Sequence, residues 1–114
     1  ELISHLKTYS KGYKIDLDSF QSNHEGQIID CIQEKLVGYL GLIINAGALT
    51  HTSLALRDCL NVFQGLIYEV HISNIYSREL YRRHSYISEA SDGVVCGLGI
   101  TGYEMAIDAI NKKM

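Results

Sequence analysis

Strands that alternate with helices along a single chain predict an α/β domain, a doubly wound parallel sheet with helices on both faces. Three observations carry that prediction. Short apolar runs at residues 40–45, 66–72 and 93–96 read as buried strands. Stretches with apolar residues three and four apart read as helices around them. The length, 114 residues, is that of one domain. Apolar residues make up 46% and charged residues 20%, an ordinary globular balance far from that of disordered chains. There is no proline, where average usage of about 5% would place roughly five or six.

In chain order, Leu2, Ile3, Leu6 and Tyr9 have helical spacing from the first residues, with no capping residue before them. Gly12 is placed to end that helix in the left-handed conformation. Residues 13–21 set Ile15 and Leu17 against Asp16 and Asp18, an alternation that predicts a strand with one solvated face. Ser22-Asn-His-Glu25 matches a capping box, and Ile28, Ile29, Ile32 and Leu36 continue it as a helix. After the strand at 40–45, Thr52 or Ser53 caps a helix through Leu56, Leu60 and Phe63. A helical turn is expected around residues 77–83 in the polar segment after the strand at 66–72. The last strand, 93–96, leads into a closing helix over residues 103–113.

Charge and cysteine content exclude several functions. A net charge of −3 gives no positive field for nucleic acid or an anionic membrane. The cations and aromatics at Tyr76, Arg78, Tyr81, Arg82, Arg83, His84 and Tyr86 are interrupted by Glu79 and come with no nucleic-acid signature, so no nucleic-acid partner is expected. No apolar run approaches the roughly 20 residues of a membrane span and no signal pattern opens the chain, so the expected setting is soluble and cytoplasmic, without a membrane. Three widely spaced cysteines, Cys31, Cys59 and Cys96, read as buried reduced thiols. No metal site is expected, because His24-Glu25 begins an H-E-x-x-H pattern that Ile28 breaks.

In a doubly wound sheet the reactive groups gather at the carboxyl ends of the strands. Asn45-Ala-Gly-Ala-Leu-Thr-His51 is a strand end turning through glycine toward a helix N-terminus, a setting suited to polyhydroxylated or anionic ligands. It also reads as a capped loop with incidental polar residues. Glu69 and His71 stand two apart on a strand and share a face, so the carboxylate can hold the imidazole in one tautomer, or favour its protonated form, for general-acid work. The same spacing is that of a buried structural ion pair. Gly97-Leu-Gly99-Ile-Thr-Gly102 spells G-x-G-x-x-G but lacks the downstream acidic residue of a dinucleotide site, and reads as a tight strand-to-helix turn.

Taken together, Phe20-Gln-Ser-Asn-His-Glu-Gly26, Ile44-Asn-Ala-Gly-Ala-Leu-Thr-His-Thr-Ser53, Ala55-Leu-Arg-Asp58, Glu69-Val-His-Ile-Ser-Asn74, Arg78-Glu, Arg82-Arg-His-Ser-Tyr86 and Gly97-Leu-Gly-Ile-Thr-Gly-Tyr103 resemble, in order and spacing, the type II 3-dehydroquinate dehydratases. The resemblance implies a single flavodoxin-like domain over residues 1–114 and a homo-oligomer, trimers within a dodecamer. It implies a lyase of the shikimate pathway, in aromatic amino acid biosynthesis. The reaction is the anti elimination of water from 3-dehydroquinate through an enolate, without cofactor, metal or Schiff-base lysine. Asn45, His71 and Glu69 would be catalytic: the amide holds a water against the enolate oxygen, and the imidazole, oriented by Glu69, protonates the departing hydroxyl. His51 and Arg82 would bind ring hydroxyls, the backbone N–H groups of Ile72 and Ser73 the substrate carboxylate, and Ala48 would also be substrate-binding. Asp58 would reach a neighbouring subunit's site.

The sequence departs from the family at its start. The family's N-terminal strand, with an N-G-P-N-L-N-like motif, and a lid carrying an arginine and the tyrosine base are not in these 114 residues. Neither Tyr81 nor Tyr86 matches that tyrosine. The expectation is that the native protein has this N-terminal segment, and that the 114 residues alone are neither stable nor active. The alternative is a non-catalytic ligand-binding relative that lacks the lid and its base.

Overall fold

The computed structural model describes residues 1–114. Its centre is a three-stranded parallel sheet formed by β1 (Gly41–Ile44), β2 (Leu66–His71) and β3 (Gly93–Cys96), in the order β1-β2-β3. Glu69 pairs with Ile44 on one side and Val94 on the other, and so lies mid-sheet. Alternation along β2 sends side chains to opposite faces. Ile67 joins Ile44, Ile32, Leu56, Leu60 and Ile87 in a core beneath α2 (Glu25–Glu34) and α3 (Leu54–Val62). Tyr68 and Val70 join Ala106 and Ile110 beneath α4 (Thr101–Lys113). This is the expected α/β layering, with helices on both faces.

The helix α1 (Leu2–Lys11) packs outside α4 largely through polar contacts. His5 Nε2 meets Glu104 Oε2 at 2.5 Å, and the Tyr9 and Tyr13 hydroxyls donate to Asp108 Oδ1 at 2.8 and 2.7 Å. The Asp108 carboxylate raises both phenols above the ordinary tyrosine range by accepting their hydrogen bonds.

Four local expectations are corrected. Gly12 is right-handed, at φ −61°, and the left-handed residue is Lys14, at φ 60°. Residues 13–21 form no strand. Ile15 and Leu17 are half-buried and Asp16 and Asp18 exposed, so the alternation persists, but no neighbouring strand lies alongside to accept a ladder. The capping box is displaced: α2 begins at Glu25 behind His24, and the Ser22 hydroxyl accepts from His24 N and donates to Gln27. The Glu25 carboxylate instead accepts the Ser53 hydroxyl. Cys31 and Cys59 are buried, but Cys96 is only half-buried; its sulfur accepts from Ile75 N at 3.4 Å.

Ser53 is the cap of α3, accepting from Leu56 N at 2.9 Å. The glycine-rich segment is the expected tight turn. Gly97 and Gly99 adopt φ of 84° and 60°, where a side chain would strain the backbone. A Cβ on Gly102 would lie 3.2 Å from Val70 and Val95, so its bareness lets α4 sit close on β2 and β3.

Candidate active site

Each strand hands a different polar group to one end of the sheet. Beyond β1 the chain turns into a 3-10 helix, Gly47–His51; beyond β2 it passes through short 3-10 turns at Ile75–Ser77 and Leu80–Arg82. The expected helical turn around residues 77–83 is therefore two 3-10 turns. Between these segments lies a cleft of about 290 Å³. Asn45, Ala48, His51, His71, Ile72, Ser73 and Arg82 all line it. A hollow of about 370 Å³ near Gly65, Leu66 and Asp92 collects no comparable set of polar groups.

His71 closes the cleft floor and is 5% exposed. Its Nε2 bonds Glu69 Oε2, which leaves Nδ1 without a protein partner. Glu69 is fully buried behind it. Burial pushes the Glu69 carboxyl up, but hydrogen bonds from His71, Ser88 and Ser85, together with the histidine's charge, outweigh burial and hold it below the ordinary glutamate range. A carboxylate–imidazole pair so placed fixes the orientation of the ring.

Just past His71, the N–H groups of Ile72 and Ser73 donate to no protein acceptor, while the Ile72 carbonyl accepts from Gly99 N at 3.0 Å. Two successive free donors at a strand end make a seat for an anion. Opposite, Asn45 is held at both ends of its amide: Nδ2 donates to Tyr103 Oη at 2.9 Å and Oδ1 accepts from Gly47 N at 3.2 Å. One amide proton remains for a ligand or water. His51 Nδ1 donates to His84 O at 2.8 Å, which leaves Nε2 unpartnered. Arg82 lies over the Tyr81 ring and 3.2 Å from Glu79. The Glu79 carboxyl is held low first by its own backbone N–H, then by Arg82 and Arg78.

Asp58 stands apart. It is exposed on α3, does not line this cleft, and accepts from Arg57 Nη2 at 2.8 Å. Sequence reasoning passed over Arg78, which also lines the cleft, and Tyr103, Ser85 and Ser88, which hold its working groups. Tyr103, Arg78 and Ser85 stand inside quoted motifs, so their place was available though their contacts were not; nothing in a local pattern marked Ser88. No three His, Cys, Asp or Glu side chains converge as a metal ion would require. No helix is long and apolar enough to cross a membrane.

A carboxyl-end cleft that gathers two free backbone donors, a buried carboxylate–imidazole pair and a fixed amide defines an α/β protein with its polar groups converging where the strands end. Comparison with known proteins makes that class particular. The family described as Dehydroquinase class II matches residues 1–111, and the chain belongs to it. A 3-dehydroquinate dehydratase of Polynucleobacter asymbioticus is 54% identical over 110 residues, covering 96% of this chain and 74% of that protein. A catabolic 3-dehydroquinase of Aspergillus clavatus is 42% identical, covering 99% and 77%. The crystal structure of type II dehydroquinase from Butyrivibrio crossotus superposes with a TM-score of 0.93 at 45% identity, covering 96% and 77%. That from Propionibacterium acnes gives 0.93 at 32%, covering 97% and 77%.

Proposed function

We propose that the protein dehydrates 3-dehydroquinate to 3-dehydroshikimate, as a lyase of the shikimate pathway. The observation that carries this reading is the buried Glu69–His71 pair placed immediately before the free N–H groups of Ile72 and Ser73. An anionic substrate seated on those donors has its ring beside His71. Family membership and relatives named for this reaction support the same substrate.

Elimination begins when a base takes a proton from the carbon next to the ketone, and the electron pair moves onto the carbonyl oxygen. Asn45, fixed by Tyr103 and Gly47, offers its remaining N–H toward that oxygen, directly or through a water. Preorganised donors of this kind contribute of order 2.7–4 kcal/mol each in well-studied sites. The enolate then collapses, the β-carbon–oxygen bond breaks, and the departing hydroxyl takes the proton of His71 to leave as water. Arg82, His51 and Ala48 shape the seat of the ring hydroxyls. No tyrosine lines the cleft, and the resemblance gives the base to a lid tyrosine outside these residues. Asp58, turned outward on α3, is offered to a neighbouring copy, in keeping with a proposed homo-oligomer of trimers.

The test is to add 3-dehydroquinate to the full natural chain and follow the ultraviolet absorbance of the conjugated enone product. A rise that is lost with His71→Ala supports the reading. Binding of 3-dehydroquinate with no rise would leave a ligand-binding protein and refute the enzyme.

A further inference from the structure

Two side chains outside the cleft converge on the group behind the proton donor. Ser85 Oγ donates to Glu69 Oε2 at 2.7 Å, and Ser88 Oγ donates to Glu69 Oε1 at 2.5 Å. Both carboxylate oxygens thus have a hydroxyl donor, and Oε2 is shared with His71. Ser85 Oγ also accepts from Ile87 N at 3.1 Å and Ser88 N at 3.0 Å. A hydroxyl has one proton and two lone pairs, so these amides leave the Ser85 proton for Glu69 alone.

The segment bearing the serines is fastened across the cleft as well. Tyr86 N donates to Thr50 O at 2.9 Å, and His84 O accepts from His51. Around Glu69, the sheet neighbours are Ile44 on β1 and Val94 on β3. The core between β2, α2 and α3 adds Ile32, Leu56 and Leu60, and its one ionisable member, Cys59, has a thiol that burial pushes up. His71 is therefore the only titratable partner in the Glu69 hydrogen-bond set.

We propose that Ser85 and Ser88 are positioning residues for the elimination, holding the Glu69 carboxylate, and through it the His71 ring, so that the nitrogen not bonded to Glu69 delivers its proton to the departing hydroxyl. This rests on the reading of His71 as the acid. A carboxylate held by His71 alone would be an under-bonded buried charge, free to turn or to take up a proton at higher pH.

The experiment compares Ser88→Ala and Ser88→Thr in the full natural chain, reading kcat and KM for 3-dehydroquinate across pH. With alanine, kcat falls roughly tenfold or more, because hydrogen bonds to charged groups are the strong ones. KM changes less than about twofold, because the seat of the substrate is untouched. The acid limb of the kcat profile moves up by about one pH unit as Glu69 loses a donor. Threonine keeps the hydroxyl and restores both. Unchanged kcat and acid limb in Ser88→Ala overturn the proposal; should that variant not fold, a Ser88→Thr profile unlike the wild type overturns it equally. His71→Ala separates the failures. If it abolishes turnover while Ser88→Ala does nothing, only the serine proposal falls; if it turns over like the wild type, the reading of the acid falls too.

Discussion

Two carboxylates on this domain keep similar company and do different work. Glu89 is 46% exposed, with Arg57 Nη1 at 2.8 Å and His84 at 3.8 Å. Glu69 is 1% exposed, with one histidine and two serines. Water and salt screen the first, so its ion pairs are worth little, while the second sits where each missing donor is costly. What makes a carboxylate useful here is thus not a formal counter-charge but burial with its hydrogen bonds complete. Glu69 is tied to His71, the proposed proton donor, at the floor of a cleft; Glu89 is tied to Arg57 and His84 at the surface.

The largest effect should fall on the buried member. Glu69→Ala strands His71, Ser85 and Ser88, and is expected to lower stability by about 3–5 kcal/mol in urea unfolding, the range for breaking a buried pair. Glu89→Ala should leave the midpoint where it was. Equal shifts would erase the contrast between the two sites.

Acidity sharpens the same comparison. The Glu69 carboxyl is held below its unfolded range, so its contribution to stability is complete above that range and is lost as pH falls through it toward the depressed native value. The wild type is expected to lose stability below about pH 5, and Glu69→Gln to show a flatter decline, measured by urea midpoints from pH 7 to pH 3.

Smaller effects come from groups that finish a helix or face solvent. Ser53→Ala removes the cap of α3 and the partner of Glu25, an expected loss of about 1 kcal/mol by thermal or urea unfolding. Asp58→Ala should not move the unfolding midpoint, because its partner Arg57 is shared with Glu89 at the surface. If Asp58 serves a neighbouring copy's site, the same variant lowers kcat/KM in the assembled enzyme.

How much of this the sequence revealed depends on the distance over which a signal acts. β2 was legible because a run such as Leu66–His71 is apolar enough to be buried whatever its neighbours. Residues 13–21 carry the period of a strand, and their half-buried Ile15 and Leu17 keep it, but pairing needs a second backbone that no local pattern supplies. Ser22 looked like a cap, yet the Glu25 that should have answered it is taken by Ser53, 28 residues away. At the site, residues with distinctive chemistry, Asn45, His51, His71 and Arg82, were visible. Ser85 and Ser88 were not, because a serine's role here is set wholly by the buried carboxylate it meets, 16 and 19 residues distant. Tyr103 stood inside a quoted motif, but its contact with Asn45 was hidden, since α4 must fold back over the sheet before the hydroxyl meets that amide.

The proposed division of labour within the cleft, anion and hydroxyl seats on one side and a buried proton donor on the other, is tested most directly by the kinetics of His71→Ala beside Arg82→Ala on 3-dehydroquinate. Loss of the acid should cut kcat by roughly 10²–10⁴ with KM little changed, whereas loss of the guanidinium should raise KM and lower kcat together. Small, equal effects from the two variants would contradict the account.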